Sequence, residues 1–222
     1  ELAAKALTGT HDADALRALA AVAEDMNDDF CLRFRAIKAM AGTHNADALR
    51  ALAAVVAHTR NDRRLRHRAA KALTRTHGAN AAKAWAAVVQ SRGDYVDLRK
   101  IAAESLIGTH DADALRALAT VVQDDTDDVD VRELAAKALT GTHDADALRA
   151  LAAVAEDMND DFCLRFRAIK ALTGTHDANA LKALAAVVED TMNHPRLRYR
   201  AAKALTGTHS AHAAKTWAAV VQ

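Results

Sequence analysis

The chain has 222 residues, of which 51% are hydrophobic but only 4% aromatic, and 30 Lys and Arg against 29 Asp and Glu leave a net charge of +1. Alanine carries much of the hydrophobic share and there is a single proline, a balance that favours short, closely packed helices. No apolar run approaches the ~18 to 20 residues that cross a bilayer and no signal peptide opens the chain, so no membrane contact is expected and the cytoplasm is the expected compartment.

Chain order begins inside a helix at Glu1, which Gly9 closes, and then reaches a Thr-His pair at His11. The same pair returns at His44, His77, His110, His143, His176 and His209, a period of 33 residues without a slip. A fixed period of this length marks a solenoid, in which each short unit buries its apolar face only against its neighbours. The repeat outweighs the one or two domains that length alone suggests. Residues 1–222 are therefore read as one elongated all-α domain of about seven helical pairs. Residues 1 to 39 and 133 to 171 are identical, an offset of 132 or four repeats, so the array is built in blocks of four. Cys31 and Cys163 fall at equivalent positions of the two blocks, too far apart to bridge, and are expected to be free thiols.

Within the repeat from Asp12 to His44, the first helix places Leu16, Leu19 and Val22 at helical spacing. Its start is signalled by Asp12 and, in later repeats, by Asn45, Gly78, Asp111, Asp144, Asp177 and Ser210, all favoured N-cap residues. The second helix is expected to begin near Asp28 and to bury Leu32, Ala36, Ala39 and Met40. It ends at Gly42, matched by Gly9, Gly108, Gly141, Gly174 and Gly207, with Arg75 breaking the series; glycine suits the left-handed residue that closes a helix. Where most repeats carry two leucines, such as Leu49 and Leu52, two carry Ala82 with Trp85 and Ala214 with Trp217. That compensation keeps the layer volume constant and assigns the tryptophans to the core.

Segments such as Asp127-Asp-Val-Asp-Val-Arg-Glu-Leu-Ala-Ala-Lys-Ala-Leu139, followed by a turn and Ala-Leu-Arg-Ala-Leu-Ala, resemble HEAT-like repeats of the phycobilisome-lyase type over the whole chain. The most specific part is an Asp or Asn five residues before an arginine: Asp28 with Arg33, Asn61 with Arg66, Asp94 with Arg99, Asp127 with Arg132, Asp160 with Arg165, Asn193 with Arg198. The resemblance implies an α-α superhelix in which these residues form ladders between repeats and the second helices line a concave face. The Thr-His turn departs from the family's pattern and is assigned to no subtype.

Neighbouring helical layers lie ~8 to 10 Å apart, whereas a shared zinc needs both ligands about 2 Å away. The histidine column is therefore read as structural, packing on the first-turn leucines Leu16, Leu49 and their equivalents, and no metal or cofactor is expected. His209 and His212 lack a nearby cysteine or carboxylate to complete a site. HEAT-like deoxyhypusine hydroxylases hold iron through His-Glu dipeptides, and this chain has none. No Gly-rich phosphate loop or Ser-His-Asp arrangement stands out, so the chain is expected not to be an enzyme.

The repeats differ most along the exposed stripe of the second helix, at positions spaced i, i+3, i+4 and i+7. These read Cys31, Phe34, Arg35, Lys38; Arg64, His67, Arg68, Lys71; Asp97, Lys100, Ile101, Glu104; Asp130, Glu133, Leu134, Lys137; Cys163, Phe166, Arg167, Lys170; and Arg196, Tyr199, Arg200, Lys203. The first-helix surface hardly varies, as in Arg17, Arg50, Lys83, Arg116, Arg149, Lys182 and Lys215. A variable stripe over a constant frame points to a non-catalytic binding scaffold whose concave face recognises a protein or peptide. Its candidate contacts are Phe34, Arg35, Arg64, His67, Arg68, Lys100, Glu133, Phe166, Arg167, Arg196, Tyr199 and Arg200, since aromatic and arginine side chains dominate interface hot spots. Acidic runs at Glu24 to Asp29, Asp124 to Asp130 and Glu156 to Asp161 interrupt the basic ones, which suits a peptide better than a uniform phosphate backbone. Nucleic acid held by Arg64, Arg68, Arg196 and Arg200 with Tyr199 is the alternative. End-to-end self-association, or a place within a longer sensor protein, is the third reading, because neither end carries an evident polar cap.

Overall fold

The computed structural model describes residues 12–74 and 79–206, which form twelve α-helices and no strand. The chain divides into two compact units, Glu1–Ser105 and Leu106–Gln222. The first holds α1 (Ala13–Glu24), α2 (Phe30–Ala39), α3 (Ala46–Ala57), α4 (Arg63–Leu73), α5 (Ala79–Gln90) and α6 (Val96–Ser105). The second holds α7 (Ala112–Gln123), α8 (Val129–Ala138), α9 (Ala145–Glu156), α10 (Phe162–Ala171), α11 (Ala178–Glu189) and α12 (Pro195–Leu205). In each unit an odd-numbered helix packs on the even-numbered helix that follows it and on the odd-numbered helix of the next repeat, while the even-numbered helices form a second row. This is the all-helical, HEAT-like two-helix repeat expected from the sequence. No described helix is long and apolar enough to cross a membrane.

Local chemistry explains where the helices start. Asp12, Asn45, Asp111, Asp144 and Asp177 each accept a hydrogen bond from the amide three residues on, at 2.7 to 3.1 Å, so orphan amides of the first turn are satisfied. The expected caps Gly78 and Ser210 lie outside the described residues. Even-numbered helices begin one residue later than expected, at Asp29, Asp62, Asp128 and Asp161, with His194 Nδ1 taking that role for α12. The shift has a cause: the residue before the cap turns inward, buried at Asn61 and Asn193 and half-buried at Asp28, Asp127 and Asp160.

Helix ends also match their residues. Gly42, Gly108, Gly141 and Gly174 have φ between 77° and 84°, the left-handed region in which a Cβ is disfavoured. Gly9, Arg75 and Gly207 lie outside the described residues. Trp85 is 2% exposed, in the core as expected, beside the half-buried Ala82; Trp217 lies outside the described residues.

The Thr-His turn corrects one expectation. Thr43, Thr109, Thr142 and Thr175 accept through Oγ1 from the backbone N–H of Asn45, Asp111, Asp144 and Asp177 at 3.1 to 3.2 Å. Threonine thus ties the turn to the cap that follows, while His44, His110, His143 and His176 are exposed and take part in none of these bonds. An imidazole here projects into solvent because the threonine already fills the inner side of the turn. His11, His77 and His209 lie outside the described residues.

The ladder is the main tie between repeats. Arg33 donates to the carbonyl of Ala23 at 3.0 and 3.1 Å and to Asn61 Oδ1 of the next repeat. Arg66 does the same with Val56 O and a two-bond pair to Asp94. In the second unit Arg132 joins Val122 O to Asp160, at 2.6 and 3.0 Å, and Arg165 joins Ala155 O to Asn193. Each guanidinium reaches back ten residues, to the C-terminal carbonyls of its own odd-numbered helix, and forward 28 residues. Asn61 and Asn193 extend the chain of bonds by donating to Val55 O and Val187 O, which an aspartate cannot do. Opposite neutral Asn193, burial lowers the pKa of Arg165, and Asp157, Asp160 and Asp190 act in the other direction.

Removing Asp94 leaves a guanidinium that is 3% exposed without its counter-charge. Asp94→Ala is expected to destabilise the chain by about 3 to 5 kcal/mol. Asp94→Asn is expected to lose clearly less, because Asn61 already serves Arg33 in the same place. Urea denaturation followed by circular dichroism measures both, and equal losses would mean that charge, not hydrogen-bond geometry, holds the rung.

Candidate functional site

The 33-residue repeat places successive even-numbered helices side by side, so residues of their stripes meet in a fixed register. Contacts between adjacent even-numbered helices join residue n to residue n+34: Phe34 to Arg68, Arg63 to Asp97, Glu133 to Arg167 and Phe166 to Arg200. The i+3 residue of one helix therefore lies under the i+4 residue of the next. The outer positions of the stripe, such as Cys31, Arg64, Lys71, Cys163, Arg196 and Lys203, are exposed, and the middle ones are mostly half-buried.

On four odd-numbered helices, α1, α3, α7 and α9, charge cancels locally. Arg17 pairs with Asp14, Arg50 with Asp47, Arg116 with Asp113 and Arg149 with Asp146, one turn apart on exposed surface. Such pairs contribute little and leave no net field. The even-numbered helices of the first unit behave differently.

There Phe34 of α2, Arg63, Arg64, His67, Arg68 and Lys71 of α4, and Asp97 of α6 line an open groove of about 600 Å³. Arg68 places Cζ 5.5 Å from the centroid of Phe34, which itself stacks on Phe30 at 6.1 Å. The ring face attracts the guanidinium and removes part of its water without neutralising it. Arg63 is engaged elsewhere: Cζ sits 4.1 Å over Tyr95 and Nη2 lies 3.6 Å from Asp97. Burial lowers the pKa of His67 from its ordinary 6.5, Lys71 and Arg63 lower it further, and Asp97 opposes them. A second groove of about 410 Å³ continues from Lys71 to Thr74, Ile101, Glu104 and Ser105.

Of the candidate contacts, the first unit thus brings together Phe34, Arg64, His67 and Arg68. Arg35 and Lys100 are half-buried on α2 and α6 and do not line the groove. Sequence reasoning missed Arg63, Lys71 and Asp97 as site residues. Arg63 precedes the stripe by one residue at the first position of α4, where the repeats read Phe30, Arg63, Val96, Val129, Phe162 and Pro195; that variation was the available signal.

In the second unit Phe166 and Arg200 form a pair with Cζ again 5.5 Å from the ring centroid. Tyr199 is 68% exposed beside it, and Arg167 Nε lies 3.5 Å from Glu133. Glu133, Asp161 and Cys163 hold their ligand atoms within 4.8 Å of one another. Two of the three are already engaged: Asp161 caps α10 through the amides of Cys163 and Leu164, and Glu133 pairs with Arg167. Cys31 and Cys163 are exposed free thiols.

No protein family and no curated protein matches the chain. Among solved structures it is similar to human deoxyhypusine hydroxylase in complex with glycerol, with a TM-score of 0.43 and 16% identity over 93% of this chain and 89% of that one. That protein is an enzyme, which corrects two expectations from the sequence, namely a non-catalytic binding scaffold and the absence of enzyme activity. Paired-helix architecture gives no ground to exclude catalysis, because function resides in the site and not in the fold. At this degree of similarity the likeness also passes no activity to this chain.

His67 offers a direct probe of the groove. A group whose folded pKa is depressed leaves the unfolded chain binding the proton more readily, so the stability that neutral His67 contributes is present above its ordinary value and lost as pH falls through the folded one. NMR titration is expected to place the His67 midpoint below 6.5, lower still in Asp97→Asn and higher in Lys71→Ala. The opposite order in the two variants would contradict the charge arrangement described.

Proposed function

We propose that the α2–α4–α6 face of the first unit binds a compact anionic group, such as a phosphate monoester or a polycarboxylate. The observation that carries this reading is the convergence of Arg64, His67, Arg68 and Lys71 on one groove that holds a single carboxylate, Asp97. Arginine presents a planar fork of donors that fits carboxylate and phosphate oxygens in pairs. Half-burial of Arg68 against Phe34 strengthens its attraction for an anion relative to a fully hydrated cation. Asp97 borders the groove and Glu104 the groove that follows it, so a continuous polyanion would meet carboxylates where an isolated group would not. Among the partners expected from the sequence, that favours a carrier of separate anionic groups over a nucleic-acid strand.

The finer parts of the sequence reading fit this proposal. The Asp/Asn–Arg rungs support the phycobilisome-lyase type of HEAT-like repeat as the subtype. The exposed thiols of Cys31 and Cys163 suit the reducing cytoplasm.

Isothermal titration at low salt with naphthalenetrisulfonate, whose charge is constant over about pH 5 to 8, tests the reading. Arg64→Ala and Arg68→Ala are each expected to weaken binding about tenfold or more, the worth of a charge-assisted hydrogen bond. Affinity is expected to rise as the pH falls through the His67 titration, because an anion favours the imidazolium, and to fall with added salt. Binding that neither substitution alters would refute the site.

A further inference from the structure

The duplicated block repeats more than the fold. Phe166, Arg196, Arg200 and Lys203 of the second unit stand where Phe34, Arg64, Arg68 and Lys71 stand 132 residues earlier. The geometry repeats with the residues. Both arginines sit 5.5 Å from their phenylalanine centroid, both pairs are half-buried, and the flanking arginine and lysine are exposed in each unit. Nε of Arg200 is buried with no hydrogen-bond partner among the described residues, so the protein leaves this guanidinium with an unsatisfied donor.

Among the groove residues of α2 and α4 two differ in the second unit, Pro195 for Arg63 and Tyr199 for His67, and Asp97 of α6 has no counterpart on α10 or α12. An imidazole gains a charge in the physiological range, whereas a phenol stays neutral there and keeps its donor throughout. The surroundings of each side chain set the outcome. His67 is faced by Arg63 and Lys71 from its own helix and Asp97 from α6, and α2 contributes Phe34 to the same groove. Tyr199 shares α12 with Arg196, Arg200 and Lys203 and with the capping His194, whose Nδ1 accepts from the amide of Arg196; α10 contributes Phe166 against Arg200, while its Arg167 pairs with Glu133 of α8.

We infer that the α10–α12 face of the second unit is a second copy of the anion site, so that the chain takes two equivalents of one ligand and only the copy containing His67 tightens as the pH falls. This inference rests on the anion-binding reading of the first unit. It adds a stoichiometry and a division of labour: the Tyr199 copy holds its ligand at constant strength, and the His67 copy responds to acidification. Burial and neighbouring cations hold His67 neutral near neutral pH, so its protonation adds a positive charge to a groove that lacked it.

Calorimetric titration of the full chain with naphthalenetrisulfonate, at about pH 8 and about pH 5, decides the matter. Two equivalents are expected for the wild type. Arg68→Glu is expected to leave one equivalent whose affinity does not change with pH, and Arg200→Glu one equivalent that tightens about fivefold on acidification, the effect of one added charge near the ligand. His67→Tyr is expected to keep both equivalents and abolish the pH dependence. Lys71→Glu and Lys203→Glu, at exposed positions, repeat the test with weaker losses should the half-buried arginine variants fail to fold. A single equivalent that Arg68→Glu abolishes and Arg200→Glu leaves intact overturns the second copy while the first-unit reading stands. Two equivalents with the same pH response overturn the division of labour. No binding by the wild type at either pH removes the first-unit reading itself, and the inference with it.

Discussion

A buried guanidinium must be fully hydrogen-bonded, and in this chain that requirement sets the repeat. Arg33, Arg66, Arg132 and Arg165 each need a backbone carbonyl ten residues behind and an Asn or Asp 28 residues ahead. An inserted or deleted residue between those points would leave a cation in the core without its partner, which costs several kcal/mol. The period is therefore held by chemistry as well as by apolar packing. Aspartate and asparagine give two versions of the rung. The first supplies a counter-charge; the second passes the hydrogen bonds on to the helix beyond, as Asn61 does to Val55.

The same register creates the surface. Because successive even-numbered helices are held at one offset, a phenylalanine at one stripe position always meets the arginine 34 residues later, as Phe34 meets Arg68 and Phe166 meets Arg200. Substitutions in the stripe thus act in pairs across neighbouring helices. Four odd-numbered helices, α1, α3, α7 and α9, use their charges differently, closing them into Arg–Asp pairs on the same helix. One face is electrically quiet and nearly invariant. The other carries local excess charge that changes from repeat to repeat, and the groove over α4 is where that excess is concentrated.

Architecture leaves the activity of such a surface open. The features that matter here are local: cations partly stripped of water on aromatic rings, a histidine held neutral by burial and by neighbouring positive charge, and carboxylates at the border. These are properties of side chains in a given register. They would differ in a chain with the same helices and other stripes.

The period, the helices and their caps are legible in the residues alone, because each of these is a local preference repeated many times. Asp12 and its equivalents read as caps, Gly42 as a terminator and Trp85 as core without knowledge of any neighbour. The Asp/Asn–Arg spacing pointed to the ladder through a family resemblance. The fold settles the placements between helices. It placed Arg68 on Phe34 and Asp97 on Arg63, drew Lys71 and Arg63 into the groove, left Arg35 and Lys100 outside it, and turned His44, His110, His143 and His176 to solvent while threonine closed the turn. Pattern along one helix cannot reveal these, since each depends on the offset between two helices, and that offset is set by side chains buried beneath the surface.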